Sequence, residues 1–299
     1  MNRLAHPYVL LTCAALFWAG AAVVVRYTAG DVPPMAINFW RWLFAFFVAL
    51  SWTWRELYDQ RRVIRANWKY IAFLAFTSSV LFGACHFLAL QFTTAINGAL
   101  FQGILSIFIL VVAWIMLGDR IGPREGVGVL IGFSGLAVIV TRGDIAVLLG
   151  LAFNVGDLIL VVGALSYAVY AVSLRRAPKS LTPSALMTAM FACSAAMMLP
   201  VWLVELYGFG LTVRLDHVTV LTIAYQTIFP SVLAQIFWAT AVAHVGPGRA
   251  GYFIYLSPVF GVALSITLLG ERFHVFHAVG IVLICFGIWF AILRRRPAA

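Results

Sequence analysis

Charge is what this chain has least of. Ten of its 299 residues are acidic and twenty are basic, 10% in all, against about 25% in an ordinary soluble domain. A water-soluble globule of this length needs a polar skin that so few charges cannot supply. Instead 64% of the residues are apolar and the mean hydropathy is +1.01. The sequence is that of an integral membrane protein, and the composition excludes a disordered chain or a collagen-like fibre. Cys13, Cys85, Cys193 and Cys285 all lie in apolar runs, which implies neither a disulfide framework nor a zinc motif. There is no G-x-x-x-x-G-K-[ST] phosphate loop and no H-E-x-x-H, so neither nucleotide hydrolysis nor zinc protease chemistry is encoded. Each of the ten acidic residues falls in a loop or within about a turn of the end of an apolar run, none at mid-span. An intramembrane carboxylate is the common proton relay of pumps and coupled carriers. Its absence argues against the simplest proton antiport.

What is present is a series of apolar runs, each long enough to cross about 30 Å of hydrocarbon, which takes about 20 residues. They cover 8 to 27, 34 to 54, 69 to 92, 95 to 117, 124 to 141, 154 to 174, 182 to 206, 218 to 243, 249 to 269 and 274 to 293. The first is read as a span rather than a signal peptide, because it holds Trp18 at its centre, ends in Arg26 and lacks a small-x-small cleavage site. In a soluble protein the net charge of +10 would suggest nucleic acid, but here the basic residues flank spans. With the N-terminus inside, 15 of the 20 Lys and Arg fall on the cytoplasmic side, including Arg61, Arg62, Arg65, Arg124, Arg175, Arg176 and Arg249. The positive-inside rule therefore puts both termini in the cytoplasm. Most tryptophans lie toward span ends, where an amphipathic ring sits at the headgroups, while Trp18 and Trp238 fit that belt poorly.

The chain also repeats. At an offset of 152, Leu117-Gly118-Asp119-Arg120 aligns with Leu269-Gly270-Glu271-Arg272, Val127-Gly128 with Val279-Gly280, and Ser79-Val80-Leu81 with Ser231-Val232-Leu233. At 149, Ala15-Leu16 aligns with Ala164-Leu165, Arg26 with Arg175 and Pro34 with Pro183. Residues 1–145 thus form one five-span repeat and 146–299 a second. Five is odd, so the second sits upside down relative to the first. Inverted repeats are commonly used for transport, with one substrate site near the midplane between the halves.

The helix 1 stretch Ala15-Leu16-Phe17-Trp18-Ala19-Gly20, Pro34 and Arg41 around span 2, Leu256-Ser257-Pro258 in span 9 and the two Leu-Gly-Asp/Glu-Arg joints together resemble the EamA-type ten-helix branch of the drug/metabolite transporter superfamily. Trp238, His244, Tyr255 and Pro258 look most like the YddG-type exporters within it. The resemblance implies an all-α membrane protein, a basket of helices around a central cavity with spans 5 and 10 peripheral, and export of aromatic or other neutral amino acids.

Candidate site residues are polar or aromatic and deep. Trp18 and Tyr167 occupy equivalent repeat positions, so a two-fold axis places them facing each other, where rings can clamp an apolar side chain or attract an ammonium group. The bland reading is packing or lipid-facing aromatics. His86 and Trp238 are equivalent in the same way, and a lone histidine is as readily an interhelical hydrogen-bonding residue as a ligand group. Phe101 and Gln102 match Phe253 and Ile254, which Tyr252 and Tyr255 flank, and Gln235 lies one turn from Trp238. Amides and phenols in apolar helices need partners, which a zwitterion or a neighbouring helix supplies equally well. Their concentration on spans 3, 4, 8 and 9 favours a cavity.

Pro230 and Pro258 remove backbone hydrogen bonds, bend their helices and free carbonyls toward a cavity, as gate hinges do. Gly122, Gly126, Gly128, Gly132 and Gly135 have the spacing of close helix packing. His274 and His277 lack a third ligand, so no metal is expected, and no cofactor is implied. Arg26, Arg41 and Arg249 near span ends could attract an anionic group, but interfacial snorkelling is the expected role of each. The expected function is export of small organic metabolites, aromatic or other neutral amino acids first, by facilitative alternating access, with a multidrug or organic-cation exporter of the same fold as the alternative. A membrane-embedded enzyme or a receptor component is the alternative of a different class. Solute flux in liposomes distinguishes a transporter from both. Expected partners are a small-molecule substrate and the lipid bilayer, not nucleic acid, with the protein a monomer or homodimer in a bacterial inner membrane. In a background lacking the native cysteines, single cysteines at Arg62 and Asp144 should show opposite accessibility to a membrane-impermeant label in intact cells; equal labelling would rule out the inverted arrangement.

Overall fold

Long apolar runs can satisfy their own backbone groups in lipid only by forming helices or closed barrels, and here they form helices. The computed structural model describes residues 6–27, 33–89, 92–93, 95–119, 121–151, 154–213, 216–269 and 272–292. The first half contains α1 (Pro7–Tyr27), α2 (Pro34–Asp59), α3 (Trp68–Ala75, continued by Phe76–Leu81 and Phe82–Ala89), α4 (Ala95–Leu117) and α5 (Pro123–Val140). The second contains α6 (Val155–Ser173), α7 (Pro183–Gly208), α8 (His217–Gln226, Thr227–Leu233 and Ala234–Val245), α9 (Pro247–Tyr252, Phe253–Tyr255 and Leu256–Leu269) and α10 (Val275–Ile292). Among the described residues nine helices are long and apolar enough to cross a membrane, and α4 contributes the shorter apolar stretch Gly103–Leu117. The chain is a multi-pass membrane protein.

Local chemistry sets the ends. Gly118 closes α4 with φ +71, which explains the glycine of the first Leu-Gly-Asp-Arg joint; Arg120 and the Gly270-Glu271 part of the second joint lie outside the described residues. Gly246, at φ +85, separates α8 from the Pro247 that starts α9. Asn154 and Asp157 cap α6 reciprocally. Asp216 caps α8 by accepting from the Thr219 N–H at 2.7 Å, and that bond holds its carboxyl below the usual range. His277 Nδ1 accepts from the His274 N–H at 3.1 Å, so the histidine pair expected to be too sparse for a metal serves the start of α10. The helix α2 runs to Asp59, about a turn beyond the predicted span, because Glu56 and Gln60 engage the start of α7.

That engagement is reciprocal. Pro33 gives α2 no side-chain cap; instead the buried Glu205 on α7 accepts from the N–H groups of Met35 at 3.0 Å and Ala36 at 2.8 Å. At the other end Glu56 on α2 accepts from the Thr182 and Ser184 hydroxyls at 2.5 Å, and Gln60 accepts from the Thr182 N–H at 3.0 Å. Glu56 and Glu205 are themselves equivalent at the 149-residue offset. A carboxylate at a helix N-terminus is worth about 0.3–2 kcal/mol, the upper figure applying where it is partly buried.

The helix pairings obey the same exchange. α2 packs on α7 and α5 on α10; α4 packs on α6 as α9 does on α1, and α3 on α6 as α8 does on α1. Swapping α1–α5 for α6–α10 maps this set onto itself. Along α2 and α7 the contacts run in opposite directions, Met35 meeting Glu205 while Thr53 meets Thr188. Gly128 likewise faces Gly287 where Gly135 faces Gly280. Equivalent helices therefore lie antiparallel, which is the inversion read from the odd span number.

Two helices carry wide π-helical turns at equivalent places, Phe76–Leu81 in α3 and Thr227–Leu233 in α8. Pro230 has no N–H to offer Gln226, four residues earlier, and the Ser231 hydroxyl donates to that carbonyl at 2.7 Å instead. The carbonyl freed by the proline is thus recaptured within α8 rather than turned toward a cavity. In α9 the α-helix gives way to a 3₁₀ turn, Phe253–Tyr255, shortly before Pro258.

The glycines of α5 separate into distinct roles. Gly128 and Gly135 touch α10 backbone, Gly132 meets the Tyr255 ring, Gly122 donates its N–H to Glu125, and Gly126 faces open space. A Cβ on Gly135 would lie 2.7 Å from the Gly280 carbonyl oxygen, a clash only separation of the helices can relieve. Gly135→Ala should therefore destabilise the detergent-solubilised protein by about 1–3 kcal/mol, as overpacking does, lowering its midpoint in a thermal size-exclusion assay. Gly126→Ala should leave that midpoint unchanged or raise it.

Candidate functional site

Four helices from both halves converge on one aromatic cluster. α1 supplies Trp18, whose ring lies 5.4 Å from that of Trp238 on α8 and whose Nε1–H donates to the Pro230 carbonyl at 3.3 Å. The π turn of α8 thereby positions the first tryptophan and precedes the segment that carries the second. Trp238 is 1% exposed and lies 6.4 Å from Tyr167 on α6. Tyr167 in turn meets Phe82 of α3 at 4.9 Å and Tyr170 at 5.2 Å. The Tyr170 hydroxyl donates to Gln235 Oε1 at 3.1 Å, and Phe82 lies 6.1 Å from His86. Trp18 and Tyr167 are thus linked through Trp238, which stands between them.

Among the described residues the buried Trp238 indole N–H has no hydrogen-bond partner. An unpaired donor in an apolar interior costs about 1–3 kcal/mol, so this position is one where a ligand acceptor would be gained at low cost. The surrounding rings offer π faces to an apolar side chain or an ammonium group.

The other expected residues lie elsewhere. Tyr255 donates from its hydroxyl to the Gly103 carbonyl at 2.9 Å, tying α9 to α4. Tyr252, whose buried hydroxyl also has no partner among the described residues, borders a separate cavity of about 420 Å³ shared with Asp119, Glu125, Arg175, His244 and Arg249. The ion pair Arg175–Asp119, 2.7 Å long and half-exposed, stands at this cavity, and Arg176 donates to the Met116 carbonyl beside it. Together these contacts join the end of α4 to the end of α6. Being half-exposed, the ion pair contributes at most about 1 kcal/mol. Phe101 is buried in a small cluster with Ala89 and Leu160. The side chain of Gln102 lies outside the described residues, as does that of Arg26. Among the described residues no group of three His, Cys, Asp or Glu side chains could hold a metal ion.

Residues beyond those expected also belong here. Tyr170 follows Tyr167 by one turn and Phe82 precedes His86 by one turn, a spacing that could have identified both. Arg41 is a correction. It sits seven residues into α2, about two turns from the helix start, rather than snorkelling at an end. Its Nε–H donates to Asn38 Oδ1 at 3.0 Å, and its guanidinium lies 4.5 Å from the centre of the Trp42 ring. Asn38 is fully buried and also accepts from the Trp42 indole at 3.0 Å.

The EamA-like transporter family profile matches residues 6–141 and again 154–293. An uncharacterized transporter of Archaeoglobus fulgidus is 25% identical over 297 residues, covering 99% of this chain and 100% of that protein. The uncharacterized transporter YyaM of Bacillus subtilis is 26% identical over 284 residues, covering 94% and 92%. A solved crystal structure shares the fold with a TM-score of 0.81 at 20% identity, over 96% of each chain.

Proposed function

The chain belongs to the EamA-like transporter family, and from that premise we propose that it exports aromatic or other neutral amino acids across a bacterial inner membrane by alternating access. The halves 1–145 and 146–299 move against each other around the Trp18, Tyr167 and Trp238 cluster, with both termini cytoplasmic. The observation that carries this reading is that Trp18 and Tyr167, at equivalent positions of the two halves, both meet the Trp238 ring. A site shared in that way is remade when the halves exchange roles, as a carrier requires. Gln235, held by Tyr170, and the unpaired Trp238 N–H supply polar contacts beside the rings. Uncharged ring faces also suit an organic cation, which keeps an organic-cation exporter as the second reading.

Reconstituted protein tests the site. Trp18→Ala and Tyr167→Ala should each lower flux of labelled L-phenylalanine by about tenfold, the scale of losing one ring contact with an ammonium or apolar group, while eluting as the wild type does on size exclusion. Wild-type flux in both variants would assign these rings to packing.

The energy source follows from the carboxylates. Glu56, Asp157 and Glu205 are all engaged near helix ends by hydroxyl or backbone donors, which leaves these acids serving the structure. The proposed carrier is therefore facilitative. Substrate should run down its own gradient, and a pH gradient at zero membrane potential should drive no accumulation in proteoliposomes. Sustained uphill uptake that disappears in His86→Ala would identify a proton-coupled carrier instead.

A further inference from the structure

Arg41 is a cation within a membrane span, and the protein does little to neutralise it. A charged side chain at such depth is costly and is normally paired or turned to a water-filled path. Among the described residues the ion pair is Arg175–Asp119, and Arg41 has none. The carboxylate that reaches the start of α2, Glu205, already has both oxygens on the Met35 and Ala36 N–H groups. Asn38 takes the Nε–H but brings no charge, and the Trp42 face attracts the cation without using its donors. The four terminal N–H donors of the guanidinium remain, in the planar fork that matches an oxyanion with two parallel hydrogen bonds.

Its surroundings fix this fork. Asn38 is held by Trp42 on its own helix, by the Met198 sulfur across α7, and by α3, where a Cβ on Gly83 would lie 2.8 Å from the Asn38 amide nitrogen. Gly83 is next to Phe82 and three residues before His86, so the same close approach sets the start of α2 against the stretch of α3 that carries both rings. From His86 the ring contacts continue through Phe82 to Tyr167 and Trp238. A cationic group therefore stands at one end of an aromatic path whose other end is the proposed site. The repeat equivalent of Arg41 is Met190, a buried apolar residue, so the charge belongs to one half alone and orients what binds.

We infer that Arg41 is the carboxylate subsite of the transported solute, binding the anionic group while the rings of Phe82, Tyr167 and Trp238 take its apolar part. This rests on the transport reading above and decides within it for solutes that carry a carboxylate over purely cationic ones. Asn38 is the positioning residue that aims the guanidinium.

Three probes share one phenyl group and separate the charges: L-phenylalanine carries both, L-phenylalaninamide lacks the carboxylate, and 3-phenylpropionate lacks the ammonium. Binding is measured by tryptophan fluorescence of the whole protein in nanodiscs of neutral lipid, which removes anionic headgroups as competitors, and flux is measured in proteoliposomes. In the wild type both carboxylates should bind more tightly than the amide. Arg41→Met should weaken the two carboxylates roughly tenfold or more, the factor expected for one charge-assisted pair, and leave the amide within about twofold. Arg41→Lys should recover part of the loss. Asn38→Asp, nearly the same size, places a fixed counter-ion beside Arg41 and should abolish the carboxylate preference even if Arg41→Met fails to fold. Binding of 3-phenylpropionate without phenylalanine would overturn the amino-acid reading and retain this one. A carboxylate preference unchanged in both Arg41→Met and Asn38→Asp, or no binding of either carboxylate by the wild type, would overturn the inference.

Discussion

A lipid interior offers no partner to a polar group, and most of this structure is an answer to that constraint. Helix starts are where the constraint is hardest to meet, because the first four N–H groups have no partner within the helix. α2 begins at a proline and cannot cap itself, so Glu205 from the other half does so, while Glu56 and Gln60 serve the start of α7. Each half thereby completes the other. Among the described residues Glu56, Glu125, Asp144, Asp157, Glu205 and Asp216 all serve helix starts, which ties most of the scarce acidic charge and the two-fold arrangement to one physical cause.

The same constraint shapes the interior. Where Pro230 breaks the backbone ladder, Ser231 restores the lost bond and the helix widens into a π turn, and the Pro230 carbonyl then receives the Trp18 indole. A similar turn in α3 lacks the proline, with the Ser78 hydroxyl donating to the Leu74 carbonyl. Both turns precede the residues that matter for the proposed site, Phe82 and His86 on one side and Gln235 and Trp238 on the other. α5 and α10 instead meet through glycines, backbone against backbone. Their tight pairing leaves α1, α3, α6 and α8 to meet around the aromatic cluster. Symmetry is broken at the point where chemistry enters, since Arg41 faces Met190 in the repeat and His86 faces Trp238.

The amino-acid sequence determined the membrane class, the order of the spans and the inverted relation of the halves, because hydropathy and the odd number of spans in each repeat are properties of the chain itself. It also singled out Trp18 with Tyr167 and His86 with Trp238 by their equivalence under the repeat, and Gln235 by its place one turn from Trp238. Other matters were decided by the tertiary structure. Tyr252 and Tyr255 share the polarity and depth of the cluster residues, yet Tyr252 borders a different cavity and Tyr255 ties α9 to α4. Arg41 reads from the sequence as an interfacial residue, because nothing local tells whether a charge near a helix start turns to the headgroups or inward. Only the packing of α3 and α7 around Asn38 turns it inward. The partner of a capping carboxylate was equally hidden. Span patterns record which face of a helix is apolar, whereas the partners of the Glu56 and Glu205 carboxylates lie 126 to 170 residues away, and only folding brings them within hydrogen-bonding distance.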